Sequence, residues 1–198
     1  GLDNIIVNED TITTANLTRR KWLDNDFYGM IFSLHHKYNK LDMILGGGIN
    51  RYNGEHFGKV IRLEYTDNNG VSQESNNLDH EYYRNDAIKN DQKIYLKIDY
   101  SINSNLHLYG DFQNRSIQYH FEGLNDDTIF SDQSINLNFM NPKFGIFYSL
   151  NPYSSIYTSY AIANKEPNRD DYRESPPSDR PEHETLYDTE LGWKMKYD

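Results

Sequence analysis

The side chains best equipped for chemistry in this sequence sit at even spacing. His107, Asp111 and Arg115 stand four residues apart in the segment 106–115. In an extended strand, side chains alternate between faces, so all three project from the same side. An imidazole, a carboxylate and a guanidinium could form an acid–base cluster, but on a wet strand face such groups more commonly make hydrogen bonds and ion pairs. A second group, Arg169, Asp170 and Asp171, follows Pro167 in a polar stretch. The Arg169 guanidinium suits an anionic ligand, whose carboxylates it can bind bidentately; the alternative is a solvated charged loop. His56 and His80, with Glu55 and Glu81, lie in another polar stretch. Imidazole suits iron, yet these residues lack ligand spacing, so no metal site and no cofactor are expected, and His56 stays a ligand-contact candidate alone. Gly46-Gly47-Gly48 mimics a phosphate loop only superficially, because no Lys-Ser/Thr follows. Within a strand, three glycines permit a bend or a close backbone approach. No nucleophile–base pair or paired carboxylates emerge, and no enzymatic activity is expected.

The elements that must carry these residues are strands. Apolar residues make up 36% of the 198, low for a globular chain, while aromatics reach 14%, with 17 Tyr against 9 Phe and 2 Trp. Disordered chains are aromatic-poor, so strand-rich structure with amphipathic Tyr at its margins fits better. A net charge of -10 without a basic stripe argues against nucleic acid as a partner. With no cysteine, disulfides and thiolate zinc sites are excluded. The longest apolar run, Met43-Ile44-Leu45, is far short of the ~20 residues of a spanning helix. Gly1-Leu2-Asp3-Asn4 has neither a basic nor an apolar leader character, so any signal peptide is expected outside this chain.

Two-residue alternation recurs along the chain. Tyr28, Met30, Phe32 and Leu34 form one apolar face, and Leu41, Met43, Leu45 and Ile49 the next after a tight link at Asn39. Ile94, Leu96, Ile98 and Tyr100 pair across 102–104 with Leu106, Leu108, Gly110 and Phe112. Phe144, Ile146, Tyr148 and Leu150 pair across 151–153 with Ile156, Tyr160 and Ile162. Tyr187, Leu191, Trp193, Met195 and Tyr197 mark the last strand. About seven strands result. Their connections alternate short and long, with polar stretches near 52–92, 119–136 and 164–184. Soluble compact domains rarely need three such loops, whereas outer-membrane barrels are built with short turns on one side and long loops on the other. The expected fold is all-β: an antiparallel, up-and-down, incomplete transmembrane β-barrel with the long loops on one side. The alternative is a soluble β-rich surface module, an adhesin or a glycan-binding domain, whose apolar face would be buried under a second sheet.

Three segments carry a family resemblance. They are Ser159-Tyr160-Ala161-Ile162-Ala163-Asn164-Lys165-Glu166-Pro167 with Arg180-Pro181-Glu182 and Tyr187-Asp188-Thr189-Glu190-Leu191-Gly192-Trp193-Lys194; Arg19-Arg20-Lys21-Trp22-Leu23 with Leu45-Gly46-Gly47-Gly48; and Leu108-Tyr109-Gly110-Asp111-Phe112. Together they resemble the barrel of TonB-dependent outer-membrane receptors. The resemblance implies that residues 1–198 are one partial barrel domain in the cell outer membrane, with the plug domain and final strands outside the chain. It implies a receptor for energised uptake of a scarce nutrient, of siderophore type. Its partners would be that ligand at the extracellular loops, the receptor's own plug, the TonB energising complex and outer-membrane lipid. Arg169, Asp170, Asp171 and His56 would contact ligand, and His107, Asp111 and Arg115 would line the plug-facing lumen. Haem is disfavoured, since no His occurs between Pro167 and Pro181. An isolated open sheet with unpaired edges and a bare apolar face is expected to self-associate.

Overall fold

The structure is a computed structural model that describes residues 5–7, 10–12, 14–67, 69–127, 129–176 and 178–197. Its strands in chain order are β1 (Ile5–Val7), β2 (Asp10–Ile12), β3 (Ala15–Tyr38), β4 (Leu41–Thr66), β5 (Ser72–Ser101), β6 (Leu106–Leu124), β7 (Phe130–Asn151), β8 (Ser154–Lys165) and β9 (Glu184–Met195), with one short helix, α1 (Arg169–Glu174), between β8 and β9. β1 and β2 make a separate antiparallel pair in which Ile5 faces Ile12. The other seven form one open antiparallel sheet in the order β3-β4-β5-β6-β7-β8-β9. Direction reverses at every connection of such a meander. Its connections are 39–40, 67–71, 102–105, 125–129, 152–153 and 166–183.

Two expected loops are much shorter than the sequence suggested. The stretch 52–92 is mostly strand, because β4 continues to Thr66 and β5 starts at Ser72. The stretch 119–136 likewise shrinks to 125–129. β3 starts at Ala15, well before Phe27. Strand pairing needs only backbone partners, so it persists where one-sided apolar alternation stops. The turn chemistry explains where it does end. Asp67 accepts hydrogen bonds from the N–H groups of Asn69 (2.9 Å) and Val71 (2.8 Å) and from Gln73 Nε2 (3.0 Å), while Gly70 supplies a φ of 78°. At the opposite type of turn, Asn39 takes φ 50°, a conformation Asn tolerates.

The chain divides into two compact units. The first comprises Gly1–Phe27, Tyr52–Lys89 and Tyr119–Ser134. Val60, Leu63, Tyr65, Tyr82 and Tyr83 form its buried core, with Ala15 and Leu78 packed against it. A ladder of rings and cations crosses three of its strands. Trp22 stacks on Phe57 with centroids 5.3 Å apart and planes at 9°, Arg20 lies 5.7 Å over Trp22, and Arg84 lies 4.4 Å over Phe57 while bonding Glu55 (2.7 Å) and Glu81 (2.8 Å).

The second unit comprises Tyr28–Arg51, Asn90–Gln118 and Ile135–Asp198. Its strands are two-faced. Phe144, Ile146 and Tyr148 stand opposite Tyr160, Thr158 and Ile156, and Ile156, Thr158 and Ile162 stand opposite Trp193, Leu191 and Tyr187. The intervening positions Gly145, Ser159 and Glu190 share the other face. Ring contacts extend the same parity to β6: Phe112 meets Phe144 at 5.1 Å on the apolar side, and His107 meets Phe147 at 6.1 Å on the other. The apolar and polar sets of 106–115 thus lie on opposite faces, as the alternation requires. The apolar face is bare: Phe32 is 49% exposed, Ile146 47%, Trp193 63% and Leu191 84%.

Gly46, Gly47 and Gly48 are buried within this wall. A Cβ on Gly46 would overlap the Tyr95 ring, and one on Gly47 would lie 2.9 Å from the Phe32 ring and 2.6 Å from the Lys93 carbonyl oxygen. The missing Cβ atoms leave room for the Tyr95 ring against Gly46 and the Phe32 ring against Gly47. Gly110 is different, with only a Phe112 ring atom at 3.4 Å.

Two outcomes are expected. Gly47→Ala should destabilise the sheet by ~1–3 kcal/mol, the range for overpacking, whereas Gly110→Ala should stay within ~0.5 kcal/mol; urea titration in lipid vesicles compares them, and equal effects would contradict the ring-over-glycine packing. At the 67–71 turn, backbone hydrogen bonding from Val71 holds the Asp67 carboxyl below the usual carboxylate range. A depressed folded pKa stabilises at pH above the unfolded value near 4 and is lost as pH falls through the lower folded value. Hydrogen exchange of the Asn69 and Val71 amides, corrected for intrinsic rates, should therefore show full protection at pH 6 and accelerate below about pH 4.

Candidate functional site

Near the connection 166–183 the second unit carries a set of side-chain hydrogen bonds and ion pairs that link several strands. Four neighbouring strands are laced there by one row of amides. Asn141 on β7 donates to Gln113 Oε1 on β6 at 3.1 Å, Asn164 on β8 donates to Asn141 Oδ1 at 2.9 Å through its side chain, and Thr185 on β9 donates to Asn164 Oδ1 at 2.8 Å. The Asn164 backbone N–H also reaches Asn141 Oδ1 at 2.9 Å. Asn141 and Asn164 each donate and accept within the row, which a side chain limited to one of the two roles could not do.

Beside the row, Arg115 on β6 spreads its fork between two carboxylates. Nε lies 3.0 Å from Asp91 Oδ1 and Nη2 lies 2.5 Å from Asp91 Oδ2, a bidentate grip on β5. The same Nη2 lies 3.3 Å from Glu166 Oε1, immediately past the end of β8. The side chains of Asp91 and Glu166 are more than three-quarters shielded from solvent, and that of Arg115 nearly three-quarters. Further along the connection, Tyr172 is 3% exposed; burial pushes its phenol pKa up, and the neighbouring Glu166 carboxylate adds to this. His183 closes the connection with its ring 5.2 Å from Phe139, which is 2% exposed.

The sequence-derived candidates sit as follows. Arg169 opens α1 and is half-buried. Asp171 accepts the Asn168 backbone N–H at 2.7 Å, and Asp170 lies 3.7 Å from Arg173, so both acids also stabilise the first turn of the helix they belong to. His56 belongs to the first unit, where its Nε2 lies 3.1 Å from the Tyr52 hydroxyl; that hydroxyl donates to Asn25 at 2.7 Å. His107 Nδ1 lies 3.0 Å from Ser101 Oγ, and Asp111 accepts from the Tyr109 hydroxyl at 3.1 Å with Lys97 at 3.5 Å. His107, Asp111 and Arg115 share a face without touching one another, so the acid–base cluster they could have formed is not assembled. Among the described residues, no group of acids and histidines could hold a metal ion. Asp91, Glu166, Tyr172 and the row Gln113, Asn141, Asn164 and Thr185 escaped the sequence reading. Glu166 was visible as the residue before Pro167, but nothing in spacing reveals a partner two strands away.

Removing the middle of the amide row should loosen the wall locally. Asn141→Ala leaves acceptors and donors of Gln113 and Asn164 unmet and is expected to cost ~1–3 kcal/mol in urea unfolding; a change under ~0.5 kcal/mol would show that the row contributes nothing.

No family model matches the chain, and no curated protein matches it in sequence. Its fold does have solved counterparts. The ferric-catecholate import receptor Fiu of E. coli K12, in its closed form, aligns over 88% of this chain and 29% of its own, with 12% identity and a TM-score of 0.55. The ferric citrate transporter FecA in its unliganded form aligns over 89% of this chain and 25% of its own, with 15% identity and a TM-score of 0.58. The chain spans about a quarter to a third of the length of these structures. At such identity the likeness is one of fold: this sheet has the architecture of part of the barrel wall of TonB-dependent receptors.

Proposed function

We propose that the chain is a wall segment of a TonB-dependent outer-membrane receptor that takes up a scarce nutrient, iron held in a siderophore-type chelate. The observation that carries this reading is the bare apolar face of the second unit, which runs from Phe32 through Ile146 to Leu191 on a seven-stranded meander. Burying apolar area is worth roughly 25 cal/mol per Å², so a face of this kind requires an apolar partner. A soluble adhesin or glycan-binding sandwich would supply a second sheet; a barrel supplies lipid. The spans suit lipid as well. Strands of ~10 residues at the tilt usual for barrels cross a hydrocarbon layer, and the apolar stretches 28–38, 41–49, 94–100, 106–112, 144–150 and 156–162 approach that length.

In this reading the connections 67–71, 125–129 and 166–183 face the outside, and 39–40, 102–105 and 152–153 the periplasm. Arg169, Asp170, Asp171 and His56 contact ligand, while His107, Asp111 and Arg115 face the lumen and the plug. The TonB complex would act on the plug, and the segment itself would guide and hold without catalysing a reaction. The solved counterparts are a ferric-catecholate import receptor and a ferric citrate transporter, which supports iron chelates as the ligand class.

Uptake of radioactive iron by iron-starved cells tests the function, with ferric citrate and a ferric tris-catecholate as probes. Cells expressing the receptor should accumulate iron from at least one probe in a TonB-dependent manner, and no uptake of either would count against the ligand class. Arg169→Ala should weaken binding of the transported probe by roughly 10- to 100-fold, the loss expected for a charge-assisted contact. Unchanged affinity would remove Arg169 from the ligand site.

A further inference from the structure

We propose that Arg115 is a positioning residue: a fork that holds the start of the 166–183 connection, and with it α1 and Arg169, against the wall. Describing that connection as ligand-contacting rests on the receptor reading above; the latch itself does not.

The argument begins with the asymmetry of the two arms. Toward Asp91 the guanidinium makes two contacts, at 3.0 and 2.5 Å, in the parallel geometry that a planar fork and a carboxylate share. Toward Glu166 it makes one longer contact at 3.3 Å. Asp91 lies within β5 and Arg115 within β6, so the first arm joins two paired strands and fixes where the guanidinium points. Glu166 follows β8 directly and precedes Arg169 by three residues. The second arm therefore reaches over β7 and restrains a segment outside the sheet. An ammonium on a flexible stem could neutralise one acid but could not present two fixed donors to both partners at once. Partial shielding of the three side chains keeps the interaction from being screened as an exposed surface pair would be.

The other restraints on the connection lie elsewhere along it. His183 against Phe139 holds its far end, and Lys165 with Glu184 spans its two roots at 3.4 Å. Between these, Glu166 anchors the entry to the segment 167–176, and the buried Tyr172 lies within it. The bidentate arm is the permanent one and the single contact the exchangeable one. A competing carboxylate presented on the polar face would displace Glu166 before it displaced Asp91, which makes the position of α1 sensitive to what occupies that face.

Hydrogen exchange on the receptor in outer-membrane vesicles, read by mass spectrometry, tests the assignment through three variants. Glu166→Gln and Arg115→Lys should each speed exchange in 167–176 by at least ten-fold while leaving β5 and β6 around Asp91 as protected as in the parent. Asp91→Asn should speed exchange in 167–176 as well, because it frees the fork that presents Nη2. Three results would overturn the proposal. One is a change below two-fold in 167–176 for Glu166→Gln. Another is protection preserved in Arg115→Lys, which would show that positive charge suffices and the fork positions nothing. Equal loss of protection across β5, β6 and the connection would likewise overturn it, since Arg115 would then be a general stabiliser of the wall. The same vesicles separate this from the functional reading: faster exchange as described, in a receptor that binds neither ferric citrate nor a ferric tris-catecholate, would retain the latch and reject the ligand class.

Discussion

Everything in the second unit follows from the demand that one continuous hydrogen-bonded sheet present an apolar surface on one side and a polar one on the other. In a strand the side-chain period is two, so this demand fixes register absolutely: a slip of one residue would turn Ile146, Thr158 and Leu191 inward and bring Gly145, Ser159 and Glu190 out. The backbone cost of the arrangement is low because each internal strand pairs on both edges. The side-chain cost is met by separation. Charges such as Asp91, Arg115, Lys97 and Asp111 are all kept on the wet side, where they find one another.

That separation is what made the wall readable in advance. Alternating Leu, Ile, Tyr and Phe located every strand of the second unit, the short turns at 39–40, 102–105 and 152–153, and the opposed faces of 106–115. It failed for the first unit because its strands are not one-sidedly apolar. Val60, Leu63, Tyr82 and Tyr83 belong to a local core, with consecutive tyrosines and a left-handed Asp79 at φ 45° breaking the period, so an irregular strand hairpin looked like a polar loop. The glycine triplet was expected to permit a bend or a close backbone approach. What approaches, however, is a pair of rings from neighbouring strands, Tyr95 and Phe32, and ring positions across strands are set by register that a single sequence does not display.

The candidate site was legible as residue types and illegible as connections. Arg169, Asp170 and Asp171 were recognisable as a charged group beyond a strand end, but the acids turned out to have local roles in α1 that spacing alone would also have allowed: Asp171 stands three residues after Asn168, the separation of a capping pair. Arg115 was assigned to the polar face by parity, yet its two carboxylates come from 24 residues before it and 51 residues after. The amide row has the same character, with Gln113, Asn141, Asn164 and Thr185 at separations that carry no period. Sequence patterns report which way a side chain points in a strand; which partners it meets is decided by how strands are stacked side by side.

The claim on which the rest depends is that the apolar face of the second unit meets lipid, and lipid-borne quenching measures it directly. The chain has no cysteine, so Leu108→Cys, Ile146→Cys and Leu191→Cys can each be labelled singly with an environment-sensitive fluorophore, beside Gly145→Cys and Glu190→Cys as opposite-face controls. In reconstituted receptor containing nitroxide-bearing lipids, the account predicts strong quenching and a blue-shifted emission at positions 108, 146 and 191 and neither at 145 and 190. Equal quenching at both sets, or none at 146 and 191, would mean that this face is covered by protein and that the sheet is not a membrane wall.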